Sequence, residues 1–161
     1  ESAVGRHPAT AVAVMDRIIK AVEADDGHWE QMYEQRKASL AEHTHALAAS
    51  ARDIARLMKA KAVFSFTQSG GTALASARER ARCPVFALTP EVKTARQLML
   101  VWGMSTVLLP TFGNSDEMHE WAESFAKEAL NAQKDEIIVS LSGAPVGVTG
   151  TTNNLRIMTM R

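Results

Sequence analysis

The alternation of short apolar runs with helix-periodic stretches through the second half of the chain most constrains what it can fold into. Residues 62–66, 85–89, 106–109 and 137–141 are apolar runs of strand length. Helical patterns fill the intervals: one over about 70–81, and one opened by Pro90-Glu91 and closed by a left-handed glycine at Trp102-Gly103. A third follows the turn 111–114, with Met118, Trp121, Ala122, Phe125 and Ala129 on one side. Parallel strands joined by right-handed helical crossovers satisfy this order. The expected fold class is therefore α/β: a doubly wound, mainly parallel five-stranded sheet with helices on both faces. Its last strand, 155–160, follows a glycine-rich loop short for a helical crossover, so it is expected to lie antiparallel at the C-terminal edge. That strand has a single charge and no proline, which predicts pairing across a two-fold axis and a homo-oligomer.

The first helix should begin near Pro8, with Val12, Met15, Ile18, Ile19 and Val22 on one apolar stripe that needs a partner surface. Residues 25–37 break the pattern and read as a polar connector, which places a domain boundary between 27 and 28. Ser39 and Glu42 then form a capping-box signature for a helix running to about Lys59, with Leu40, Thr44, Leu47, Ala51, Ile54 and Met58 on one face. The start, Glu1-Ser2-Ala3-Val4-Gly5, has no initiator methionine and reads like a cut inside a larger protein.

Composition narrows the function. Eighteen basic and eighteen acidic residues cancel, so no global field attracts nucleic acid or an anionic membrane, and any anion site must be local. Cys83 is the only cysteine, which rules out an internal disulfide and fits a reducing cytoplasm. No stretch reaches the roughly 20 apolar residues that span a bilayer, so a soluble protein is expected.

Two loops could carry chemistry. Thr67-Gln68-Ser69-Gly70-Gly71-Thr72 leads from a strand straight into a helix N-terminus. Free N–H groups and the helix dipole attract a phosphate there, glycines let the backbone approach it, and the hydroxyls of Thr67, Ser69 and Thr72 add donors. The same residues could do no more than cap the helix and turn the chain. The second loop, from Ser142 to Asn153, follows the fourth strand, which should neighbour the first, so both loops would meet at one crevice. It could equally be only an extended connection to the edge strand. No Gly-Lys-Ser/Thr ending is present, so ATP hydrolysis is not expected. His43 and His45 are two apart and fall on different sides of a helix, and no acidic pair has metal-binding spacing. No metal-binding residue is therefore expected. Trp102, Trp121, Phe125 and the methionines are assigned to the core.

Glu1-Ser2-Ala3-Val4-Gly5-Arg6-His7-Pro8 with Ala11-Val12 resembles a pyruvate kinase segment, Glu-Thr-Ala-x-Gly-x-Tyr-Pro-x-x-Ala-Val. The likeness continues in order through Lys59-Ala60-Lys61-Ala62, the 67–72 loop, Ala87-Leu88-Thr89-Pro90, Thr94-Ala95-Arg96, Val101-Trp102-Gly103 and Gly150-Thr151-Thr152-Asn153. The resemblance implies that residues 1–27 are the last helix of a catalytic barrel and 28–161 a C-terminal regulatory domain. The parent would be a cytoplasmic glycolytic enzyme, with this piece alone expected to be inactive, that transfers a phosphoryl group from phosphoenolpyruvate to ADP with magnesium and potassium. It would also be an oligomer, expected as a tetramer. The catalytic and metal-binding residues of the family precede the matched segment, and this part would supply allosteric regulation and a subunit contact. It further implies a phosphorylated effector held by Thr67, Gln68, Ser69, Gly70, Gly71 and Thr72, with Gly147, Gly150, Thr151 and Thr152 closing over it.

The chain departs from the animal pattern for fructose 1,6-bisphosphate, since Gln68 and Gly71 stand where Lys and Arg are found and the closing loop has no basic residue. The expected effector is thus a sugar monophosphate or AMP. Two competing readings stand beside this one. The 67–72 loop also looks like a flavodoxin phosphate loop, which would make the chain an FMN-binding electron carrier. The chain could instead be an oligomerisation module that binds no ligand.

Overall fold

The computed structural model of the chain describes residues 2–35 and 42–161. It forms two compact units, Glu1–Ser39 and Leu40–Arg161. In the first, α1 (Pro8–Glu23) opens on its proline as expected. The stretch read as a polar connector is instead a second helix, α2 (Asp26–Gln35). Asp25 Oδ1 accepts a hydrogen bond from Gly27 N at 3.1 Å, and Asp26 adds a negative charge to the first turn, where the dipole favours it. Trp29 Nε1 donates to the carbonyl of Glu23 at 2.6 Å and the ring is buried, so the tryptophan ties α2 to the end of α1. The stripe Val12, Met15, Ile18, Ile19 and Val22 is exposed.

The second unit carries the sheet. Its elements are α3 (His43–Leu57), β1 (Ala62–Phe66), α4 (Gly71–Arg78), β2 (Val85–Thr89), α5 (Val92–Leu98), β3 (Met104–Leu108), α6 (Ser115–Leu130), β4 (Ile137–Gly143) and β5 (Thr152–Thr159). The strand order is β3-β2-β1-β4-β5, with β1 parallel to β2 and to β4, β2 parallel to β3, and β5 antiparallel to β4. The expected α/β class and antiparallel edge strand are what the chain adopts. Ser39 and Leu40, the expected start of α3, lie outside the described residues.

The sheet is covered on both faces. Toward α6, Phe64, Phe66, Ile138, Met158 and Met160 pack with Met118, Ala122 and Ala126. Toward α3 and α4, Val63, Val85, Val139 and Leu141 meet Ala48, Ala51, Ala55 and Ala75, small residues that let the helices lie close. All of β1 is buried, as a central parallel strand must be.

Two helices end earlier than expected, α4 at Arg78 and α5 at Leu98, while Gly103 does take the left-handed conformation, at φ 67°, just before β3. Trp102 and Met99 are also not core residues. Trp102 is half-exposed with the guanidinium carbon of Arg80 3.6 Å above its ring, and Met99 is 71% exposed. A tryptophan can remain at the surface when a cation covers its face. Met15 and Met58 are exposed as well.

Candidate ligand cavity

β1 ends at Phe66 and the chain passes through Thr67, which is buried and whose hydroxyl accepts a hydrogen bond from Gly70 N at 2.9 Å. That bond closes a tight turn, and Gly70 completes it at φ 97°. A Cβ there would meet only ordinary contacts with Leu98 and Thr94 at 3.6 Å, so the backbone angle rather than lack of space calls for glycine. Gln68 is held from outside, because Thr94 Oγ1 donates to its carbonyl at 2.8 Å. Gly70 is the N-cap of α4 and no side chain caps the helix, so Ser69 does not. The first turn of α4 carries no acidic residue either, so no side chain of the helix itself offsets the positive end of its dipole.

The second loop returns from β4 to β5. Asn153 fastens its base, accepting from Ala144 N at 2.9 Å and donating to Ala144 O at 2.8 Å. Within it Thr151 Oγ1 donates to Val148 O at 2.8 Å, and Gly147 and Gly150 take left-handed φ values of 84° and 77°. The two loops meet at one bond: the hydroxyls of Thr72 and Thr152, both buried, lie 2.6 Å apart. Behind it the chain of hydroxyls continues, Ser76 donating to Thr72 O at 3.0 Å and Ser65 donating to Ser76 Oγ at 2.8 Å. Buried polar groups thus fix the position of α4 against β1 and β5.

The loops enclose a cavity of about 320 Å³ at the C-terminal ends of the parallel strands. Its size suits a small ligand and its place is where open α/β sheets bind one. Thr67, Gln68, Ser69, Gly71 and Thr72 line it from the first loop, and Gly147, Gly150, Thr151 and Thr152 from the second. Gly70 stands behind, shaping the turn. Phe66, Leu109, Phe112 and Met118 form an apolar wall.

Sequence reasoning missed the charged lining: Glu42 and His45 at the start of α3, and Glu91, the N-cap of α5. His45 Nε2 lies 3.8 Å from Glu42 Oε2. A usable signal existed for Glu91, because Pro90-Glu91 opens a helix directly after β2, the same strand-to-helix position that singled out the 67–72 loop. Among the described residues lining the cavity there is no lysine or arginine. Nor does any group of three or more His, Cys, Asp or Glu side chains among the described residues come together to hold a metal. Cys83, half-buried and away from the cavity, has its thiol pushed up to about 11 by burial and is no nucleophile at neutral pH.

A doubly wound sheet with two glycine-rich loops around a cavity at its switch point defines the class as an α/β domain of the mainly parallel kind. The family model described as the pyruvate kinase alpha/beta domain matches residues 45–158, and the chain belongs to this family. It is similar to a pyruvate kinase of Agrobacterium vitis (38% identity), one of Methylorubrum extorquens (34%) and one of Mycobacterium tuberculosis (33%), each over 98% of this chain. The chain spans about a third of the length of these relatives, 33%, 33% and 32% in turn.

Proposed function

We propose that this chain is the regulatory and subunit-contact part of a pyruvate kinase, and that its cavity takes a singly phosphorylated effector, a sugar monophosphate or AMP. The observation that carries the ligand class is the uncapped N-terminus of α4, which opens with Thr67, Ser69 and Thr72 onto a cavity that no lysine or arginine among the described residues lines. Backbone N–H groups and hydroxyls suit one phosphate. Among the described residues, the charged or titratable groups that a second phosphate would meet are Glu42, Glu91 and the His45 imidazole, with no lysine or arginine to offset its charge.

The whole protein would transfer the phosphoryl group of phosphoenolpyruvate to ADP in the cytoplasm, as part of glycolysis. Its catalytic residues, and the magnesium and potassium that neutralise developing charge, would be held outside this chain. Residues 1–27 would then be the last helix of the catalytic barrel, which would give the exposed stripe of α1 its partner. β5, at the open edge of the sheet, would pair with its copy in a second subunit to build a homo-oligomer, in the parent a tetramer.

A thermal-shift titration with AMP, glucose 6-phosphate, ribose 5-phosphate and fructose 1,6-bisphosphate tests the ligand class, since binding to the folded state raises apparent stability. Ser69 is exposed on the cavity and has no role in the loop-to-loop bond, so Ser69→Ala is a cleaner probe than Thr72→Ala. At least one monophosphate should stabilise the chain and lose most of that effect in Ser69→Ala. Tight binding of the bisphosphate with none of the monophosphates would overturn the proposal. No shift with any ligand would favour a module that only assembles.

A further inference from the structure

His119 on α6 is a buried titratable side chain that the cavity does not use, with 6% of its surface exposed. Its Nδ1 lies 3.1 Å from Nη1 of Arg156 on β5. A guanidinium only donates, so a hydrogen bond at this contact requires the tautomer with Nδ1 as the acceptor and the hydrogen on Nε2. Nε2 is itself buried and meets no partner among the described residues. The ring stands edge-on to Phe66, with centroids 6.3 Å apart. Phe66 and the neighbouring Met118 line the cavity, so His119 sits between the cavity wall and the edge strand.

A proton has only one position to enter, Nδ1, and that atom faces a donor. Accepting it would break the contact with Arg156 and bring two cations together. From the sheet side little opposes that repulsion. In the strand register Arg156 stands opposite Ser140, and the sheet face toward α6 presents Phe64, Phe66, Ile138, Ser140 and Ser142, none of them charged. From α6 itself, Asp116 and the backbone of Ser115 favour the charged ring, while burial first and Arg156 second hold its pKa below the usual 6.5.

We propose that His119 and Arg156 form a proton-sensitive latch that fastens the edge strand β5 to the cavity wall, closed when the imidazole is neutral and opened by acid. A histidine whose folded pKa is depressed binds more protons unfolded than folded. Its contribution to stability is therefore present in full above about pH 6.5 and is lost as the pH falls through the lower folded value. One proton of difference changes the folding equilibrium at most about tenfold per pH unit.

The test follows the imidazole resonances of the full chain by NMR from pH 8 to 4.5, alongside denaturant unfolding at the same pH values. His119 should titrate below the ordinary histidine range, and the Phe66 ring and Met118 methyl signals should move with the same midpoint. Arg156→Gln, which removes the facing cation, should raise that midpoint. His119→Gln keeps an acceptor for Arg156 but cannot titrate, and should flatten the part of the stability profile just below about pH 6.5. An unchanged profile in His119→Gln overturns the proposal, as does an ordinary His119 midpoint or cavity signals that do not follow it. If His119→Gln does not fold, Arg156→Gln decides alone, and an unmoved midpoint overturns it.

Discussion

At the scale of single residues, Gly143 and Arg52 show how tightly this fold is specified. Gly143 pairs with Thr152 where the β4–β5 register shifts, and a Cβ there would lie 2.6 Å from Thr151 Oγ1 and 3.1 Å from the Thr151 carbonyl oxygen. The hydroxyl can rotate away but the backbone cannot, so Gly143→Ala should destabilise the chain by about 1–3 kcal/mol and disturb the second loop, as checked by urea unfolding. Arg52 is buried on α3, and its Nη1 lies 2.6 Å from Glu79 Oε2 just beyond α4. Arg52 keeps the carboxylate of Asp53, 2.9 Å from its Nε, so Glu79→Ala should cost about 2 kcal/mol in the same measurement. Of the cavity residues, those of the 67–72 loop were legible because glycines and hydroxyls follow an apolar run there. Glu42 and His45 were not, since a single sequence does not say which helix starts converge on a strand end.

At the scale of elements, the strands were legible and the helix ends were not. The apolar runs at β1, β2 and β4 are buried on both faces and stand out in any composition. Several helices instead stop through a non-glycine residue in the left-handed region: Lys59 after α3 (φ 50°), Arg80 after α4 (φ 52°) and Asn131 after α6 (φ 51°). Lysine and arginine give no sequence sign of such a stop, so α4 was expected to run on to about 81. Lys59 is exposed, and Lys59→Gly should relieve that strain and raise stability by up to about 1 kcal/mol in chemical denaturation. α6 starts from a true cap, Asn114 Oδ1 accepting from Asp116 N at 3.0 Å and Glu117 N at 2.9 Å. Asn114→Ala should cost about 1 kcal/mol, read as a lowered unfolding midpoint.

At the scale of the whole molecule, the pH profile should fall in two separate steps. Glu136 is held below its usual 4.5 by the hydrogen bond from Lys61 Nζ at 2.7 Å, and Glu123 by Lys127 Nζ at 2.9 Å. Depressed carboxyls contribute stability above about pH 4.5 and lose it as the pH drops through their folded values, and exposed pairs contribute little. In His119→Gln only this lower, shallow step should survive, and salt should weaken it further, as denaturant unfolding at low and high ionic strength would show.

The hydroxyl bond between Thr72 and Thr152 joins residues 80 apart in the sequence. Contacts between such distant residues close late, because the intervening chain must first be ordered. The cavity therefore has a place in time as well as in space. During refolding, helical signal should return before the chain can hold any ligand, and competence should wait for β5 to dock beside β4. A nascent or partly folded chain would be silent to the effector proposed for the cavity, and the first moment at which it answered one would mark the completion of the sheet.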